Sequence, residues 1–246
     1  MRQKEKKHWK KGKKLMHSYE ELIGTHKGEC AFVIGAGTNL YPISKRKDFY
    51  DICNNVVIAV NSSIVLFPWE SGSEDKRYWI STDSAVRGWT YWKKVKRCKA
   101  HRLVRTSWEK HYWEIPQFYC YPPRPTKEAV ITPGDKGLAY CGSTVGGIDL
   151  AIQMGCKKIF LLGIDNYFKG GKTHFWQFWD RKDQPKGFVQ PRTQQKSLFD
   201  FTQKVMKALN NYATHEGAKV YNVSVDSEVK AFPKIEFDKV WEIIDE

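Results

Sequence analysis

Four stretches of the chain carry groups suited to holding a nucleotide. Gly35-Ala36-Gly37-Thr38-Asn39 pairs two glycines, which let backbone amides approach a phosphate, with two polar side chains beside them. Asn61 is a neutral donor and acceptor able to read a base edge or a ribose hydroxyl, or else to turn the chain as it leaves a strand. Gly142-Ser143-Thr144 are small residues that can cap a helix, where free first-turn amides attract anions. Asp83 and Asp165 are carboxylates that could share a Mg²⁺ on a diphosphate. His174 adds an imidazole whose ordinary pKa suits proton transfer at neutral pH, though its aromatic surroundings also suit a structural histidine. Lys172 and Arg181 flank it as cations able to neutralise phosphate charge.

Regular elements must hold these groups. Apolar runs at 30–34, 56–60, 78–81 and 159–163 read as strands, and each is followed by small or polar residues. The last is almost uninterrupted, as in a strand covered on both faces of a parallel sheet. Residues 102–106, 118–121 and 220–225 read as further strands. Val145, Ile148 and Ile152 recur at helical spacing up to a stop at Gly155, with Asp149 and Gln153 on the other side. A second amphipathic helix spans 197–214, and a closing helix surrounds 237–244. The expected fold is α/β: a single Rossmann-like domain over residues 26–246, with a mostly parallel sheet and helices on both faces. The carboxyl ends of its strands are where a ligand would bind. The long polar segment at about 168–195 reads as a lid.

Composition narrows the function. At 246 residues one well-buried domain is the natural size, and no apolar run reaches the roughly 20 residues that span a bilayer. Six cysteines without a Cys-x-x-Cys pair suit a reducing, cytoplasmic setting better than a disulfide framework or a zinc site. The net charge of +14 is uneven: residues 1–14 hold +7 of it, as a basic tail leading into a short helix over residues 15–24. Residues 87–110 add a second basic stretch interleaved with Trp89, Tyr91, Trp92 and Trp108. Both stretches are candidates for polyanion contact with nucleic acid or an acidic glycan; otherwise the first is a solvated tail and the second an amphipathic helix with buried tryptophans and a solvated basic face.

The ordered set Gly35-x-Gly37, Asn61, Gly142-Ser143-Thr144 and Gly163-Ile164-Asp165-x-Tyr167 resembles the bacterial lipooligosaccharide sialyltransferases and their uncharacterised, often phage-encoded relatives. Those relatives are distantly similar to the archaeal 6-hydroxymethylpterin diphosphokinases. The resemblance is strongest over 140–176 and 222–233. It implies that Gly35 and Gly37 lie under the nucleotide phosphate, that Asn61 holds ribose or base, and that Ser143 and Thr144 hold the nucleotide. It also implies that the hydroxyl of Tyr167 binds the departing phosphate. The family's first loop has asparagine where this chain has Ala36, and its lid histidine has no counterpart in residues 177–195. His174 is then the remaining candidate acid or base. The sialyltransferase resemblance implies no metal, and the diphosphokinase resemblance implies Mg²⁺.

The expected function is transfer of a sugar from a nucleotide-sugar donor, CMP-linked if the resemblance holds. Catalysis falls to His174, Tyr167 and Asp165, and nucleotide binding to Gly35, Gly37, Thr38, Asn39, Asn61, Asp83, Gly142, Ser143 and Thr144. Two alternatives are a Mg²⁺-dependent diphosphokinase-like enzyme using Asp83 and Asp165, and a non-enzymatic protein that binds nucleic acid or an assembly partner. The expected location is the cytoplasm, the host's if the gene is a phage's.

Overall fold

Strands alternate their side chains between two faces, and here both faces are covered. The computed structural model describes residues 15–111, 115, 117–124, 131–139, 141–166, 171–185 and 192–246. Its main sheet contains β1 (Leu15–Ser18), β2 (Cys30–Ile34), β3 (Val56–Val60), β4 (Arg77–Ser81), β5 (His101–Arg105), β6 (Gln117–Tyr121), β9 (Lys158–Leu162) and β10 (Lys219–Asn222). These run in the order β1-β6-β5-β4-β3-β2-β9-β10, and every neighbouring pair is parallel. Two short strands, β7 (Pro123–Arg124) and β8 (Leu138–Ala139), pair beside it. From β2 the chain builds outward through β3 to β6, then returns to the other side of β2 with β9. That reversal makes a switch point, where parallel sheets hold ligands at their carboxyl edge.

The apolar runs divide as period two requires. Ala31, Val33, Ile58, Ile80, Ile159 and Leu161 join one core, with Val145 and Ile148 of α3 (Ser143–Gln153) and Val205 and Leu209 of α4 (Arg192–His215). Phe32, Ile34, Val57, Trp79, Phe160 and Leu162 join the other. That second face is covered by α1 (Leu40–Ile43), α2 (Trp92–Arg97), α5 (Lys239–Asp245) and several 3-10 turns. The Rossmann-like α/β fold with helices on both faces is therefore present.

Several local expectations change. Residues 15–18 are not helical: they form β1, paired with β6, and a 3-10 turn at Tyr19–Leu22 follows. The sheet thus includes residues assigned to the tail, while the basic residues 1–14 lie outside the described residues. The last strand ends at Asn222 rather than 225, and α4 begins at Arg192 rather than 197. Asp149 is not on a solvent face. It is fully buried, with both carboxylate oxygens 2.5 and 2.6 Å from Nη2 of Arg124, itself buried, and it also accepts from Ala139 N and Gln153 Nε2. Within the basic stretch, Arg102 points inward and donates to the carbonyls of Val95, Cys98 and Gln117. Trp92 is buried as well, so only part of that stretch faces solvent. All six cysteines are free, and no helix among the described residues is long and apolar enough to cross a membrane.

Candidate functional site

The carboxyl ends of β4, β3, β2 and β9 lie side by side, and most of the singled-out residues meet there. Asp165, just past β9, is the post to which three loops are tied. It is 1% exposed. Its Oδ2 accepts from Asn39 N at 2.7 Å and from Thr38 Oγ1 at 3.4 Å, and its Oδ1 accepts from Ser224 Oγ at 3.2 Å. Asn39 Nδ2 in turn donates to Ser224 Oγ. Burial raises the Asp165 pKa, against the donors Asn39, Ser224 and Thr38. A carboxylate so enclosed ties the loops around it together. Thr38 and Asn39 are engaged in the same knot.

The two glycines have a packing reason. A Cβ on Gly35 would lie 2.4 Å from Gly163 O, and one on Gly37 would lie 2.4 Å from Asp165 Oδ2. Their amides donate to Leu162 O and Gly163 O, at 2.8 and 2.7 Å. Those amides therefore join the β2 and β9 loops instead of pointing at a phosphate. Each of the two carboxylates expected to share Mg²⁺ is engaged by protein donors. Asp83 and Asp165 follow strands three places apart in the sheet, roughly 14 Å at the usual spacing. Asp83 caps a 3-10 turn through Ala85 N at 2.8 Å. Among the described residues no cluster of three His, Cys, Asp or Glu gathers to hold a metal.

The start of α3 differs in detail from the expected cap. Gly142, with φ of 99°, is its N-cap and has no side chain to close the first turn. Ser143 Oγ turns away to accept from Thr82 N at 2.9 Å and lies 3.0 Å from Thr82 Oγ1, joining the helix to the end of β4. The first-turn amides are then left without intrahelical partners, beside the half-buried Thr144, at a helix end that favours negative charge.

Asn61 ends β3 in a left-handed conformation, φ 51°, which few non-glycine residues adopt. Its backbone carbonyl accepts from Trp79 Nε1 at 3.0 Å, but its side-chain Oδ1 is buried with no hydrogen-bond partner. The segment after Gly171 packs over this edge. Phe175 N donates to Ala36 O at 2.9 Å and Trp176 Nε1 to Ser62 Oγ at 3.2 Å, and both rings are buried. This part of the expected lid is core, not cover. It sets His174 beside the Gly35 and Asn61 loops. The imidazole Nδ1 is 2.6 Å from Thr173 Oγ1, the ring lies 5.0 Å from that of Trp176, and burial pushes its pKa down to about 4. His174 is thus neutral at pH 7, and its burial makes it a weaker base than an exposed imidazole. Lys172 rests over the Phe178 ring at 4.0 Å, and that ring stacks on Tyr41. Arg181 is exposed. Tyr167 and residues 168–170 and 186–191 lie outside the described residues. A cavity of about 610 Å³ opens at the other edge of the sheet, among Lys27, Gly155, Lys157 and Tyr212, away from all of these groups.

Sequence reading missed Thr82, Ser62, Ser224 and Asn166. The first three act through partners far along the chain, and Asn166 was passed over as the variable residue before Tyr167.

No known protein family matches the chain in sequence, and no curated protein matches it. Solved structures do. The MAf glycosyltransferase from Magnetospirillum magneticum AMB-1 superposes with a TM-score of 0.53 at 11% identity, over 89% of this chain and 37% of that one. The chain thus spans little more than a third of that enzyme. The sialyltransferase CST-II in complex with a trisaccharide acceptor and CMP gives a TM-score of 0.43 at 14% identity, over 84% of this chain and 86% of that one. At these identities the likeness is one of fold.

Proposed function

We propose that the chain is a glycosyltransferase that binds a nucleotide-linked sugar across the carboxyl ends of β4, β3, β2 and β9. The observation that carries this reading is Asn61, a strained residue at the sheet edge whose buried Oδ1 lacks a partner. Leaving such an atom unpaired costs about 1–3 kcal/mol, so a ligand hydroxyl or amine that satisfies it recovers that energy on binding. The uncapped first turn of α3, with Thr144, suits the phosphate. The fold shared with a glycosyltransferase supports the reaction class by analogy, and the sequence resemblance favours a CMP-linked donor.

In this reading the acceptor hydroxyl attacks the anomeric carbon and the bond from that carbon to the phosphate oxygen breaks. The nucleotide leaves with the electron pair, and neutral His174 takes the hydroxyl proton. Tyr167 is proposed, by the resemblance alone, to bind the departing phosphate.

The test is calorimetric titration of CMP, UMP, GMP, AMP and ATP, with and without Mg²⁺, followed by CMP release from a CMP-linked sugar. Asn61→Ala should weaken the preferred nucleotide by about 1–3 kcal/mol. Unchanged affinity with a lower melting temperature would make Asn61 a structural turn residue. Failure of every nucleotide to bind would sink the proposal, and a strict Mg²⁺ and ATP requirement would favour the diphosphokinase-like alternative.

A further inference from the structure

Asn61 has a counterpart. Among the described residues only two non-glycine residues have positive φ: Asn61 and Asn166, at 51° and 47°. They follow β3 and β9, the two strands that flank β2, so they stand on either side of the Gly35–Gly37 loop, roughly 10 Å apart at the usual strand spacing. Each has one buried side-chain amide atom without a hydrogen-bond partner, Oδ1 in Asn61 and Nδ2 in Asn166.

Local structure does not account for the side-chain nitrogen of Asn166. The amide nitrogen is buried and makes no hydrogen bond, to nearby backbone or elsewhere. Glycine would hold the same turn without strain, as Gly163 does three residues earlier at φ 63°. The protein thus keeps a strained residue with an unsatisfied donor at the edge where its other candidate ligand groups lie. A donor of this kind needs an acceptor, and the surrounding charge indicates which. Asp165 is adjacent, and the nearby charge of Asp226 already adds to the rise in its pKa. A phosphate would meet that negative field unfavourably, whereas a neutral ring nitrogen or carbonyl would not.

We infer that Asn166 is a binding residue whose side-chain amide donates a hydrogen bond to the acceptor edge of the nucleobase. Asn61 holds the sugar end of the nucleoside, and the phosphate lies toward the start of α3. This rests on the nucleotide reading above and adds to it the residue that distinguishes the base.

The test compares the full chain with Asn166→Gly and Asn166→Asp. Glycine removes the amide and the strain together, and aspartate keeps the shape but offers no donor. The preferred nucleoside monophosphate and the base-free ribose 5-phosphate are each titrated by calorimetry, and melting temperatures are recorded. The nucleotide should bind both variants roughly 10-fold more weakly or worse, while ribose 5-phosphate binds Asn166→Gly as it binds the parent and Asn166→Gly melts no lower than the parent. Nucleotide affinity within twofold of the parent in Asn166→Gly would overturn the inference. So would an equal loss of ribose 5-phosphate in Asn166→Gly, or a fall in melting temperature in both variants, which would mark a structural turn. If the unmodified chain binds no nucleotide, the parent reading fails and this one with it.

Discussion

Gly37→Ala separates two explanations of the first glycine loop. The backbone of Gly37 is in a region open to alanine, so the only obstacle is space. The new methyl would sit 2.4 Å from Asp165 Oδ2, 2.6 Å from its Cγ and 2.7 Å from Gly163 O. Carbon and oxygen do not approach so closely, and the Gly163 oxygen is backbone that cannot rotate aside. The β2 and β9 loops must therefore part. Overpacking of this kind costs about 1–3 kcal/mol. Parting them also strains the bond from Gly37 N to Gly163 O, at 2.7 Å, and that from Asn39 N to Asp165, also 2.7 Å, each worth about 1 kcal/mol. A loss of roughly 2–4 kcal/mol follows, which for a chain of this size lowers the melting temperature by about 4–16 °C. Thermal unfolding followed by circular dichroism, with a urea titration beside it, reads this directly. A melting temperature within about 2 °C of the parent would refute the packing argument. If nucleotide affinity were lost at the same time, the glycine's role would return to close approach of a ligand.

Arg124→Leu should destabilise the chain by about 3–5 kcal/mol, because Asp149 would keep a buried carboxylate without its cation. The double variant Arg124→Leu/Asp149→Leu should recover much of that loss in urea denaturation, and a double variant less stable than the single one would argue against it. His174→Ala and His174→Gln should each slow sugar transfer by roughly 10²–10⁴-fold with nucleotide affinity nearly unchanged, and a glutamine variant close to parental turnover would remove the proposed base. The same histidine sets a pH dependence. Its folded pKa of about 4 lies below the unfolded value near 6.5, so the unfolded chain binds the extra proton. The stability it contributes is complete above about pH 6.5 and is lost as pH falls toward 4, by at most about 3 kcal/mol. His174→Gln should flatten that part of the stability profile, and an unchanged profile would contradict it.

The sheet was legible because its evidence is local. Strands buried on both faces must be apolar throughout, so residues 30–34, 56–60 and 159–163 declared themselves, as did the amphipathic repeat of α3 up to Gly155. The edge at which polar residues gather followed from the same runs, since each ends in small or polar residues. What the side chains do there depends on neighbours that local pattern does not contain. Gly35 and Gly37 look alike whether they face a phosphate or the β9 loop, and only the pairing of β2 with β9 decides between the two. Ser143 reads as a helix cap until β4 brings Thr82 to it from 61 residues away. Asp165 reads only as a carboxylate at a strand end, and the Thr38 and Ser224 loops that close over it come from far along the chain. Residues 15–18 are too few to show a period, and it is β6, about 100 residues on, that makes them a strand. Charge misleads for the same reason. Arg102 and Arg124 add to the basic count of the sequence, yet long side chains can turn inward wherever carbonyls or a carboxylate await them, and that is settled only when distant strands meet.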